Sequence, residues 1–178
     1  MLVRSDATER ADVIVVAADA DGAGVLEAAD LVHEGFATRV ALFVNQLDRA
    51  SQEFQSRGVL YTDEAARSVS ALRALGVKSV ETIAPAVSGT GEEARVLPGW
   101  CGRMGYRTVL FVSTTDHSRR THRELSRAAR GSSVRIMVRY SRYSGFEPDR
   151  WWQTRGGVRV ELVESQKLLL DFLLHPFS

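Results

Sequence analysis

Five short apolar runs punctuate the chain, and most are followed by a stretch of helical spacing. The first, Val13–Ala18, is an unbroken run of β-branched and small residues, as expected of a strand buried on both faces. Beyond the loop Asp19-Ala20-Asp21-Gly22-Ala23-Gly24, apolar residues at Val25, Ala28, Ala29 and Val32 predict a helix over about 24–34, stopped by Gly35. Val40–Val44 reads as the second strand, and 46–57 as a short polar helix or an ordered excursion ended by Gly58. Thr62 is placed to cap a helix with Asp63 and Glu64 in its first turn and a buried stripe of Ala66, Val69, Leu72 and Leu75. Val80–Ala84 is the third strand. Thr90 and Glu93 form a capping-box pattern at the next helix, and Pro98-Gly99 predicts a kink or stop near Leu97. Thr108–Val112 is the fourth strand, with a helix over about 116–130, and Val134–Val138 is the fifth. Residues 140–157 read as a loop, and Glu161 to Leu174 as a last amphipathic helix.

This alternation predicts one domain over residues 1–178, a three-layer α/β/α Rossmann-like fold with a mostly parallel sheet of about five strands. Ligands in such sheets bind beyond the carboxyl ends of the strands. Asp19, Asn45, residues 87–94, residues 113–120 and Tyr140 fall along that rim.

Composition adds little until the charges are placed. A net charge of +1 gives no global pull toward nucleic acid. Residues 119–159, however, carry eleven arginines and no lysine. Arginine suits bidentate contact with phosphate or carboxylate, and the same run also reads as a solvated basic face. Cys101 is the single cysteine, so no internal disulfide forms, which fits a reducing compartment. The first apolar run is too short for a signal segment or a membrane span. The chain therefore reads as soluble and cytoplasmic, with no membrane span.

The chemistry concentrates where the fourth strand gives way to Ser113-Thr114-Thr115-Asp116-His117. A helix starting there presents unpaired amides and its positive dipole end, a setting for an anion. His117 and Arg120 are three residues apart, on one helical face, and together offer a titratable group and a fixed charge. The plainer reading is that Thr115 or Asp116 caps the helix and His117 is an exposed first-turn residue. Upstream, Ser88, Gly89 and Gly91 allow close backbone approach beside Thr90. Capping explains Glu93, which leaves Glu92 as the acid free to act as base or polar anchor. Gly22-Ala23-Gly24 falls short of a dinucleotide fingerprint, because Glu27 stands where a third small residue is needed. Asp19 and Asp21 suggest a turn more than a metal site, and no histidine has a ligand-spaced partner. Trp151-Trp152 reads as a pin for the last loop or as a ligand lid.

Thr90-Gly91-Glu92-Glu93-Ala94, and Val112-Ser113-Thr114-Thr115-Asp116-His117-Ser118-Arg119-Arg120, together resemble two motifs of the SanA/ElyC/YdcF-like family of bacterial envelope proteins. These are Thr-x-Glu-Asn-Ala at a helix start and Val-Thr-Ser-x-x-His-x-x-Arg after a strand. The resemblance covers residues 60–178. Glu93 replaces the family's asparagine, and the first half lacks its glycine loops after the first and second strands and its arginine in the first helix. The resemblance implies a Rossmann-like domain linked to peptidoglycan or lipid-carrier metabolism, with S-adenosylmethionine or a nucleotide as cofactor. The residues and the resemblance together point to a phosphorylated or nucleotide-like ligand. Thr90, Ser113, Thr114, Arg120 and Asp19 would hold it, and His117 or Glu92 would move a proton. A binding or regulatory module that has lost activity is the alternative. On either reading, replacing His117 and Arg120 is expected to weaken an anionic ligand and leave stability nearly unchanged.

Overall fold

The computed structural model describes residues 2–59 and 64–176. The apolar runs form β1 (Val13–Val16), β2 (Arg39–Asn45), β3 (Ser79–Val87), β4 (Thr108–Ser113) and β5 (Arg135–Tyr140). They make one sheet in the order β3-β2-β1-β4-β5, with every neighbouring pair parallel. β1 is the central strand, with β2 and β4 on either side of it, and β1 and β4 are the most fully buried. Their residues Val13–Val16 and Val109–Val112 are almost wholly buried, which is why they are apolar without alternation.

Between the strands run α1 (Asp21–His33), α2 (Arg49–Ser56), α3 (Glu64–Ala74), α4 (Thr90–Met104) and α5 (Ser118–Ala128), followed by α6 (Arg155–Leu174). α1 and α3 pack together, α4 and α5 likewise, and α6 lies on α5. The fold is the three-layer α/β/α arrangement expected. Among the described residues, no helix is long and apolar enough to cross a membrane. The cap expected of Thr62 lies outside the described residues.

Four boundaries differ from the sequence reading, each for a local reason. α1 starts at Asp21 rather than Gly24. A Cβ on Gly24 would stand 2.6 Å from Val16 Cγ1 and from Ala20 Cβ, so this glycine lets the helix lie close on β1. α4 does not stop at Pro98 but continues to Met104. Leu97, Trp100 and Cys101 are buried on either side of the proline, and Gly105, at φ 76°, closes the helix. β3 runs past Pro85 to Val87, as the sheet's edge position permits. α6 begins at Arg155 rather than Glu161, with Thr154 accepting from the Gly157 N–H at 2.9 Å. Gly157, the last residue of the stretch expected to be loop, lies inside the helix, and a Cβ there would fall 2.3 Å from the Trp151 carbonyl oxygen, so it serves close packing. Trp152 is no pin, being 58% exposed, whereas Trp151 is half-buried beside it.

Candidate functional site

The chain fills the sheet outward from β1 to β3, then crosses back to β4, so the carboxyl ends of β1 and β4 flank the topological switch point. Across this gap His117 Nδ1 meets Asp19 Oδ2 at 2.7 Å. His117 Nε2 lies 3.1 Å from Asp116 and 3.3 Å from Glu164 of α6. Burial alone would lower the imidazole pKa, but the bonds to Asp19 and Glu164 and the charges of Asp19 and Asp116 outweigh it and raise it to about 10. At neutral pH His117 is a fixed cation rather than a base.

Arg120 points the same way. Its Nε donates to Glu164 Oε2 at 3.1 Å and its Nη1 to Glu124 Oε1 at 3.0 Å. Glu164 is 3% exposed; burial pushes its pKa up, yet His117, Lys167 and Arg120 bring it down to about 2. His117 and Arg120 thus share a face as the spacing predicts, but what they share is a carboxylate of the chain itself. The start of α5 is engaged too, with the Arg119 N–H donating to the Leu2 carbonyl and the Ser118 N–H to that of Thr115. These contacts occupy two of the amides expected to face an anion there. The same holds for the arginine-rich run: Arg123 and Arg127 grip Asp171, and Arg139 and Arg142 grip the wholly buried Glu27.

On the β1–β2–β3 side of this cluster lies a crevice of about 450 Å³. Asp19, Asp21, Asp48, Glu64 and Glu93 line it, together with Asn45, and among the described residues no lysine or arginine does. Asn45 Nδ2 spans Ala18 O at 3.1 Å and Glu64 Oε2 at 3.3 Å. Asp21 hydrogen-bonds Glu64, and that bond, burial and the charges of Glu64 and Asp19 raise its pKa to about 6. Asp21 also holds a positive φ of 43°, uncommon for a residue with a side chain. Among the described residues no group of three or more His, Cys, Asp or Glu side chains is arranged to hold a metal ion.

Glu92 and Glu93 exchange the roles assigned from the sequence. Glu92 Oε2 accepts the Ser88 N–H at 2.8 Å, so Glu92 ties down the α4 entry and its pKa is lowered by that bond. Glu93 is 1% exposed and reaches across to β1, where Oε1 accepts the Ala18 N–H at 2.5 Å. Its Oε2 has no partner among the described residues. Burial raises its pKa to about 7, with the Ala18 amide and Arg120 opposing and Asp19 and Glu124 reinforcing. The capping-box spacing pointed to Glu93 as the structural acid because it cannot show which of two adjacent carboxylates turns toward the sheet.

The other expected residues separate. Thr90 is buried at the α4 start, and the buried Ser113 hydroxyl sits 3.4 Å from Thr121 Oγ1. Thr114 faces a second cavity of about 690 Å³ with Asp116, Phe146, Arg150, Trp151 and Gly157, and among the described residues its hydroxyl has no partner. The Asp19–His117–Asp116 bridge divides this cavity from the acidic crevice. Asp19 therefore stays at the site and Glu93 joins it, whereas His117, bound to Asp19 from behind, and Arg120 do not line the crevice.

No protein-family model and no curated protein matches the chain. Among solved structures, it is similar to guanylylpyridinol- and ATP-bound HcgE from Methanothermobacter marburgensis, at 15% identity over 75% of this chain and 62% of that one, with a TM-score of 0.39. It is also similar to the aureusimine biosynthetic cluster reductase domain, at 12% identity over 75% of this chain and 34% of that one, with a TM-score of 0.35. The chain thus spans less than two thirds of the length of either, and neither likeness assigns a ligand.

Proposed function

We propose that the domain binds a small nucleoside-like molecule, S-adenosylmethionine or a nucleotide, in the acidic crevice beside the switch point. The observation that carries this is Glu93: a buried carboxyl at the crevice wall, one oxygen fixed on the β1 loop and the other without a partner. Asp19 is paired with His117, but Asp21, Glu64 and Glu93 form no ion pair among the described residues, and such carboxylates suit ribose hydroxyls and the ammonium or sulfonium of S-adenosylmethionine. A phosphate or carboxylate end of the ligand would lie toward Gly89 and Thr90, where α4 opens with its positive dipole end. Glu93, near 7, exchanges a proton at neutral pH, as a general acid or base must. The resemblance to the SanA/ElyC/YdcF-like group supports a link of such a domain to cell-envelope metabolism. The reading of a binding module without catalysis is favoured by one observation, that His117 is locked as a cation.

Calorimetric titration with S-adenosylmethionine, ATP and inorganic phosphate tests the reading. A nucleoside-containing ligand should bind, and Asp21→Asn should weaken it roughly ten- to hundredfold, the loss of one charge-assisted hydrogen bond. Binding of phosphate alone, abolished by His117→Ala and indifferent to Asp21→Asn, would overturn it.

A further inference from the structure

Helix α6 is turned inside out. Its inward face carries Glu164 and Asp171, which bind Arg120, Arg123 and Arg127 of α5, and Leu168 is its one buried apolar side chain. Its outward face carries Leu162, Val163, Leu169, Leu170, Leu173 and Leu174, the leucines 56–71% exposed. Monomeric proteins rarely leave a contiguous apolar strip of this kind open to water.

We infer that this face is a homodimer interface, in which α6 of one copy packs antiparallel on α6 of a second copy about a two-fold axis at Gln166. Three features select that occupant. The strip is self-complementary about Gln166, since Leu162 and Leu170 stand equally far on either side, as do Val163 and Leu169. The two halves also differ in relief. Trp152, Thr154, Val158, Leu162 and Val163 line a shallow depression of about 580 Å³ on the amino half. Leu169, Leu170, Leu173 and Leu174 project from the carboxyl half. A two-fold axis seats the ridge of each copy in the depression of the other, the isologous contact that closed dimers use.

Charge agrees. Arg155 and Arg159 make no ion pair among the described residues and sit at the rim of the depression. Antiparallel packing sets them beside the carboxyl end of the partner helix, where the last carbonyls carry partial negative charge. Parallel packing would set each arginine against its own copy.

Sedimentation velocity of the full chain at micromolar concentration should show a dimer. The double substitution Leu162→Glu, Leu170→Glu should give a folded monomer whose melting temperature no longer depends on protein concentration and matches that of the wild type diluted until it dissociates, because both side chains are exposed in the protomer. A Gln166→Cys variant should cross-link to itself with a short bis-maleimide, the native Cys101 being buried. A wild-type monomer that pellets with phosphatidylglycerol vesicles would overturn the inference in favour of a lipid surface. A dimer that survives the double substitution would place the interface elsewhere, and a dimeric Gln166→Cys chain that fails to cross-link would overturn the antiparallel register.

Discussion

Two clusters of carboxylates face each other across the switch point, and they are built on opposite terms. On the α5–α6 side, Glu164 and Asp171 are each held by two or more cations, namely His117, Arg120 and Lys167 for the first and Arg123 and Arg127 for the second. On the β1–β2–β3 side only Asp19 has an ion pair, with His117; Asp21 and Glu64 have one another, and Glu93 has a backbone amide and, among the described residues, an oxygen without a partner, with Arg120 acting on it only at a distance. A buried charge matched by its own chain is explained by folding. A buried carboxyl without a cation costs stability, and it persists where something outside the chain rewards it. Charge density alone would rank the His117–Arg120 cluster first; charge balance ranks the crevice first.

The largest expected effect tests the first half of that contrast. Glu164→Ala would leave His117 and Arg120 buried without their shared anion. Breaking a buried pair from one side costs about 3–5 kcal/mol. Chemical denaturation should show a loss of that order for Glu164→Ala, with a smaller one for Arg120→Ala, since its side chain is 14% exposed. This reverses the expectation from the sequence that Arg120 would be dispensable for stability. A wild-type midpoint in Glu164→Ala would mean the cluster is not structural.

Next comes the pH dependence. The folded pKa of Glu93, about 7, lies above its ordinary value of 4.5. A group so raised supports the fold most below pH 4.5 and loses that support as pH rises through 7. Glu93→Gln keeps an acceptor for Ala18 and removes the penalty. It should therefore be more stable than the wild type at pH 8 by roughly 2–3 kcal/mol, and equal to it near pH 4.5. His117 adds a separate decline between its ordinary 6.5 and its folded value of about 10, which Glu93→Gln leaves in place. Melts at pH 4.5, 8 and 10 distinguish the two groups. Parallel wild-type and Glu93→Gln curves would show that Glu93 is not held protonated.

Gly157→Ala should cost about 1–3 kcal/mol, the range for forcing a methyl into a packed site. It would act by pushing Trp151 off the α6 start. A melt within error of wild type would show that the turn at 151–157 relaxes freely.

How much of this was legible beforehand follows from what each signal encodes. Hydrophobic period is a local property, so the strands and the parallel order were readable from runs such as Val109–Val112. Spacing along a helix was equally readable, and His117 and Arg120 do fall on one face. What they meet there depends on Glu164, forty-four residues from Arg120, on a helix that the sequence placed but could not dock against α5. The arginine-rich run was ambiguous for the same reason. Its partners Glu27 and Asp171 are remote in sequence, and a count of charges cannot show that they are already paired. The Leu2 carbonyl on Arg119 is a contact that no motif announces.

The smallest expected effect is the sharpest test of the site. Glu92 and Glu93 are adjacent and chemically identical, and the sequence reading chose the first. Glu92 receives a single amide bond from Ser88 at the surface, so its loss removes one exposed contact at the entry of α4. Glu92→Gln retains an acceptor of the same shape and should leave the melt, the pH profile and ligand affinity close to wild type. Glu93→Gln should change the last two. The pair of variants, titrated with S-adenosylmethionine or ATP at pH 7, separates orientation from mere acidity, since both remove one carboxylate from the same turn. Lower affinity in Glu92→Gln with none in Glu93→Gln would return the acid role to Glu92 and move the ligand to the outer edge of α4.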